Sequence, residues 1–185
     1  MVAAVVVEVA EEAAASDDRR AGGDKSMDQI IEECIEEIHK YKDGVHELNP
    51  GIDRAIIKAF ETKYNINLPE DYKDFLTVYN GGELFIPGTV VSGVFDEEKE
   101  IKDDNGDYLH LNLTNKWPDM GDELLIIADL NYGDMICYDS KRQVIVQWDH
   151  EIGEVTIEWD TFAEWLQDEM KAGSELVDYN GNEKE

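Results

Sequence analysis

The apolar residues of this chain change their spacing at Asn80-Gly81-Gly82, from a recurrence near every 3.6 residues to one near every second residue. Nothing else limits the fold as strongly, because a helical period does not sit in a sheet and an alternating one does not bury a helix face. Upstream, Ser26-Met27-Asp28-Gln29 is a capping-box pattern that opens a helix with Ile30, Ile31, Cys34, Ile35, Ile38 and Tyr41 on one face. Glu32, Glu33, Glu36 and Glu37 take the other face, and Asp43-Gly44 stops it. Ile52, Ile56, Ile57, Phe60 and Tyr64 mark a second helix after Asn49-Pro50-Gly51. Pro69 opens a third, with Tyr72, Phe75, Leu76 and Tyr79 inward and Asn80-Gly81-Gly82 as its stop.

Downstream, residues 83–86, 90–95, 108–113, 124–130, 135–138, 144–148 and 155–159 read as short strands joined by turns. Segment 108–113 alternates cleanly, with Leu109, Leu111 and Leu113 on one face after the hairpin signal Asn105-Gly106. Thr161-Phe162-Ala163-Glu164 is a second capping box, opening a last helix that Gly173 ends. Helices, then strands, then a helix predict a single α+β domain: an antiparallel sheet of about six strands flanked by about four helices. Residues 1–26 are Ala/Val-rich without a sustained amphipathic period and read as a flexible N-terminal extension. The domain is expected over 27–173, with 174–185 as a frayed acidic tail.

Charge narrows the function. The chain has 44 acidic side chains against 16 Lys and Arg, a formal net charge of −28, and residues 27–185 alone carry −25. Direct nucleic-acid binding is excluded, since phosphate recognition is built on clustered cations, and anionic lipid is disfavoured for the same reason. The acidity does not imply disorder, because 42% of residues are apolar. Cys34 and Cys137 are far apart, with no CxxC spacing, which fits a reducing compartment. No apolar run approaches the roughly 18 residues of a membrane span. The apolar start of the chain lacks a positive leader and carries Glu8, so the protein reads as cytoplasmic.

Catalytic signatures are absent. There is no phosphate-binding GxxxxGK[ST] or GxGxxG, no GxSxG, and both cysteines sit in apolar runs. Asp149-His150-Glu151 offers three ligand types, but neighbours on a turn diverge and Zn²⁺ needs convergent ligands. The 103–107 segment lacks the spacing of a calcium loop. No metal and no cofactor are therefore assigned. What remains is surface. Asp96, Glu97, Glu98, Glu100, Asp103, Asp104 and Asp107 crowd one loop, Trp117 follows, and Asp134, Asp139, Asp149 and Glu151 lie in turns. Aromatic anchors ringed by one sign of charge suit an interface with a basic partner.

The stretch from Leu68-Pro69 through Tyr72, Phe75 and Leu76, followed by Asn80-Gly81-Gly82, resembles the signature of the SUKH superfamily in its Smi/Knr-like branch. Tyr132-Gly133-Asp134 and its strand, the Trp148 turn, and the helix with Phe162, Trp165 and Leu166 match in the same order, over about residues 30–170. The resemblance implies one α+β domain with a strongly curved antiparallel sheet, in which these residues are architectural. It further implies a non-enzymatic immunity protein that binds and neutralises a cognate bacterial toxin, a basic nuclease-type effector by the charge, by occluding its active surface. A scaffold binding an endogenous protein, as in the cell-wall regulators of the family, and an uncharacterised enzyme are the alternatives. A monomer or weak dimer is expected.

Overall fold

The computed structural model describes residues 26–95 and 107–184. Helix α1 (Met27–Ile38) begins with both halves of its capping box: the Ser26 hydroxyl accepts from the Gln29 N–H, and the Gln29 side chain accepts from the Ser26 N–H at 3.1 Å. Strand β1 (Glu47–Pro50) leads to α2 (Arg54–Tyr64), whose N-cap Asp53 accepts from the Ala55 N–H at 2.7 Å. Helix α3 (Glu70–Val78) follows with Pro69 as its N-cap, and the chain passes directly into β2 (Tyr79–Leu84) and β3 (Thr89–Val91). A short helical segment, α4 (Tyr108–His110), continues as a π-turn over Leu111–Asn115. Strands β4 (Leu124–Asp129), β5 (Met135–Asp139), β6 (Val144–Asp149) and β7 (Glu154–Trp159) precede helix α5 (Phe162–Leu176). The seven strands pair in chain order, every pair antiparallel, as one open meander.

Helix α3 is the hub of the main core. Tyr72, Phe75 and Leu76 are fully buried, and the Phe162 ring lies 4.9 Å from Tyr72 and 5.2 Å from Trp165. The Tyr72 hydroxyl donates to the Ser92 carbonyl at 2.6 Å, tying α3 to the end of β3. On the opposite side, buried Glu61 of α2 accepts from the Leu68 N–H at 2.9 Å and from Lys73 Nζ at 3.1 Å. Asp71 is also buried, and its carboxylate accepts from the Ala163 N–H at 2.8 Å, capping the start of α5. Burial pushes its pKa up, against the backbone N–H bonds that pull it down.

Asn80-Gly81-Gly82 lies inside β2 rather than acting as a helix stop. Gly81 and Gly82 have φ of +70° and +119°, where a side chain is strained. A Cβ on Gly81 would come 2.5 Å from the Val91 carbonyl oxygen, and one on Gly82 would land on the Glu47 carbonyl. The two glycines let β2 lie tightly between β1 and β3. Buried Asn80 acts as a substitute backbone, accepting from the Val94 N–H at 2.8 Å and donating to its carbonyl at 2.9 Å.

Residues 108–113 are not a strand. The Asp107 carboxylate accepts from the Leu109 and His110 N–H groups at 2.8 and 3.2 Å, and such an Asx cap starts helical geometry. Leu111 is fully buried while Leu113 is exposed, so the alternating leucines share no buried face. Leu111 packs with Met120, Leu124, Ile126, Cys137, Val146 and Trp148 in a second, smaller core on the face of the sheet away from the main helices. Asn112 accepts from the Ile126 N–H at 2.9 Å and donates to its carbonyl at 3.1 Å, where a bulge interrupts the β4–β5 ladder. Both faces of the sheet are thus partly covered, and strand β1, unmarked by any alternation, joins its edge.

Gly173 does not end α5, which runs on to Leu176; it is buried against the Phe85 ring. The tail expected to fray folds back: Val177 bridges Glu183, Lys184 N–H donates to the Leu176 carbonyl at 2.8 Å, and the Tyr179 hydroxyl donates to Glu37 of α1 at 2.8 Å. Asp71→Ala is expected to lower unfolding free energy by about 2 kcal/mol, the cost of orphaning buried N–H groups at a helix start. Asp71→Asn, which keeps an acceptor, is expected to lose clearly less. Urea unfolding of both variants checks this, and equal losses would show that the bond to α5 is not the source.

Candidate functional site

Alternate turns of an antiparallel meander share one end of the sheet, which brings the β4–β5 turn beside the β6–β7 turn. The first is tight: the Gly133 N–H donates to the Leu130 carbonyl at 2.8 Å and the Leu130 N–H to the Asp134 carbonyl at 2.9 Å. Gly133, at φ +102°, leaves room for the His150 ring, which a Cβ there would meet at 3.1 Å. Asp134 is buried. One carboxylate oxygen accepts from His150 Nδ1 at 2.8 Å and the His150 N–H at 3.2 Å, and the other accepts from Gln147 Nε2 at 2.7 Å. Trp117 stacks on the His150 ring, with centroids 5.6 Å apart and planes at 30°. Asp149 folds its own turn, accepting from the Glu151 and Ile152 N–H groups at 2.8 and 3.2 Å. Tyr132 and Ile152 are each 60% exposed at the tips of the two turns, and Trp117 is 39% exposed.

The electrostatics follow from these bonds. Burial alone would push the Asp134 carboxyl up, but the hydrogen bonds from His150 and Gln147 outweigh it and hold the group below its usual range. The same bond to Asp134 raises the pKa of His150. A histidine held this way by a buried carboxylate has the form of a general base. Burial raises the Tyr132 phenol, and it pushes the Cys34 and Cys137 thiols up to about 11 and 12. Asp134, Asp149 and His150 each bring a ligand atom within 4.8 Å of the others and are the residues that could hold a metal. Both Asp134 oxygens, His150 Nδ1 and Asp149 Oδ1 are engaged with Gln147, with each other or with backbone N–H groups, bonds that a cation at those atoms would have to displace. Glu151, the third member of the sequence triplet, is exposed and outside this group.

The acids singled out by sequence have divergent fates. Asp96, Glu97, Glu98, Glu100, Asp103 and Asp104 lie outside the described residues. Asp107 is buried as the cap of α4. Asp139 is also buried, in the β5–β6 turn at the opposite end of the sheet, where it accepts from Lys141 N–H, Arg142 N–H and Arg142 Nε. Trp117, Asp134, Asp149 and Glu151 are brought to one place, with Asp134 beneath and the others at the surface. Tyr132 enters the sequence reading only through the Tyr132-Gly133-Asp134 match, Gln147 not at all, and Ile152 only as an apolar residue between acids. An aromatic and an isoleucine inside turns, where burial is rare, are the signals that mark the first and last of them.

The architectural residues are in the interior: Leu68, Tyr72, Phe75, Leu76, Phe162, Trp165 and Leu166 in the main core and Trp148 in the second. The element order and single open sheet define an α+β domain, and among the described residues no helix is long and apolar enough to cross a membrane. The chain belongs to the SMI1 / KNR4 family (SUKH-1), whose sequence model matches residues 51–168; proteins of this family work by binding other proteins. A crystal structure of a protein from Pseudomonas syringae pv. tomato is similar in fold, with a TM-score of 0.56 and 20% identity, covering 76% of this chain and 98% of that one.

Two histidines are expected to titrate on opposite sides of the ordinary 6.5. His46, packed between Tyr41 and Phe85, is lowered by burial to about 4, so its contribution to stability holds above pH 6.5 and is lost as pH falls toward 4. His150, raised by Asp134, contributes below 6.5 and loses that contribution as pH rises through its folded pKa. Ring proton shifts followed by NMR check both, and Asp134→Asn is expected to bring the His150 midpoint down. A His150 midpoint unmoved by that substitution would contradict the pairing.

Proposed function

We propose that this chain is an immunity protein that binds a cognate bacterial toxin with a basic surface and neutralises it by covering its active surface. The observation that carries the reading is the composition of the turn end of the sheet. Residues 149–160 hold five acids and no Lys or Arg, include the exposed Ile152, and adjoin two more exposed large side chains, Trp117 and Tyr132. Exposed aromatics within a rim of one charge are the anatomy of an interface hot spot. Membership of the family agrees with a protein partner, and a nuclease-type toxin must present a cationic groove to bind its own substrate. The mechanism is steric and electrostatic, with no chemistry by this chain. The Asp134 network pre-positions both turns, so little ordering entropy is lost on binding. The acids of residues 96–104 belong to the same proposal on charge alone.

A search of the neighbouring genes for a toxin, followed by co-expression of its product with this chain, tests the reading. The wild-type chain is expected to restore growth, and Trp117→Ala is expected to weaken binding by about 2 kcal/mol, roughly 30-fold. Association should slow about tenfold or more between low and physiological salt. Full neutralisation by a Trp117→Ala, Ile152→Ala, Glu151→Lys variant with unchanged affinity would sink the proposed surface.

A further inference from the structure

The two edges of the sheet are finished differently. Strand β1 has four residues and ends on Pro50, which has no N–H to offer, and Gly51 beyond it is pressed against the Thr77 carbonyl of α3. Strand β7 has six residues, and all from Glu154 to Glu158 are exposed. Trp159 alone leans back onto the helix layer, donating its Nε1 to Asp168 of α5 at 2.9 Å. The outer row of backbone N–H and C=O groups on such a strand is a template for another chain, and folded proteins normally blunt it. Here the blunting devices are a bulge in the β6–β7 ladder opposite Gln147–Trp148 and the strand's own charge. Val155 and Ile157 remain 40% and 46% exposed.

The charge selects among occupants. Glu158 is paired with Arg142, whereas Glu154 has no basic partner among the described residues, and Asp149, Glu151 and Asp160 flank the strand. A second copy pairing through β7 would set acids against acids, which is destabilising across strands. The bulge acts on any incoming strand alike, but the charge favours one that carries cations.

We propose that β7 is the site where the partner's chain joins this sheet: an extended segment alternating Lys or Arg with β-branched residues adds as an eighth strand. A cation lies beside Glu154 and the next apolar side chain rests on Val155. The bulge turns Ile157 and Glu158 to the faces opposite Val155 and Glu154, so the matched stretch is the part of β7 before it. The inference rests on the basic partner proposed above and specifies how that partner is held. Main-chain hydrogen bonds supply affinity in such strand addition, and the alternating side chains supply specificity.

Two synthetic peptides of equal charge test it on the full chain: acetyl-Lys-Val-Lys-Val-Lys-Val-Lys-amide, and the same peptide with proline in place of the central valine. At about 0.15 M salt, where exposed charges more than about 8 Å apart are screened, the first is expected to bind about tenfold more tightly, because proline removes a ladder donor and breaks the strand. Its binding should move the amide NMR signals of residues 154–159. Val155→Lys, on an exposed position, should abolish the difference between the peptides while leaving the circular dichroism unchanged. Equal affinity of the two peptides, or shifts confined to other elements, would overturn strand addition and leave the basic-partner reading standing. Failure of both to bind even at low salt would overturn both readings. Concentration-dependent self-association through the same amides without peptide would make a second copy the occupant and overturn the proposal.

Discussion

A buried carboxylate joins the two ends of this domain. Asp71, in the first turn of α3, accepts the N–H of Ala163 at the start of α5, 92 residues further along the chain. An acid at a helix N-terminus meets unpaired donors and the positive end of the helix dipole, so the contact is favourable even out of water. It sets Phe162 and Trp165 against Tyr72 and Phe75, and with that the helix layer closes over the sheet. From the same helix, Tyr72 reaches Ser92 beyond β3 and Lys73 reaches Glu61 of α2. The strand order then follows from a meander with short turns, and the meander places the β4–β5 and β6–β7 turns side by side.

The acidity works on two levels. Part of it is architectural: Asp71, Asp107, Asp134 and Asp139 are buried with their oxygens on backbone or side-chain donors. The remainder is surface, and at the turn end it meets Trp117, Tyr132 and Ile152. The two levels cooperate at Asp134. Its bonds to His150 and Gln147 fix the turn that displays Tyr132 and the ring on which Trp117 stacks. A rigid, half-apolar, negatively charged surface is suited to fast capture of a cationic protein.

The sequence was a reliable guide wherever one local rule acted alone. The Ser26 capping box, the Thr161 cap, the three N-terminal helices and the strands from 124 onward rest on caps and periodicity, and they form where those signals lie. The second box stays half made, because the Glu164 carboxylate accepts from the Asp160 N–H instead of that of Thr161. It misled where a tertiary contact reversed a local signal. The alternating leucines of 108–113 lost to the Asp107 cap and go three ways: Leu109 packs against the main core, Leu111 enters the second and Leu113 is exposed. Gly173, in form a helix stop, is small so that Phe85 can approach. Counting acids as surface failed at Asp107 and Asp139, although both accept N–H groups two and three residues ahead, a local pattern that sequence can reveal. Gln147 and the buried role of Asp134 were not legible, because they depend on two turns distant in sequence becoming neighbours.

The proposed complex sets the turn end of the sheet, and not the helix layer, against a basic toxin. Amide hydrogen exchange of the chain, free and bound to a toxin that it neutralises in co-expression, tests this most directly. New protection is expected at Trp117, residues 96–104, the 130–134 and 149–153 turns and β7, with α1 and α5 unchanged. Protection on the outer faces of α1, α2 or α5, with the turns exchanging as in the free chain, would contradict it.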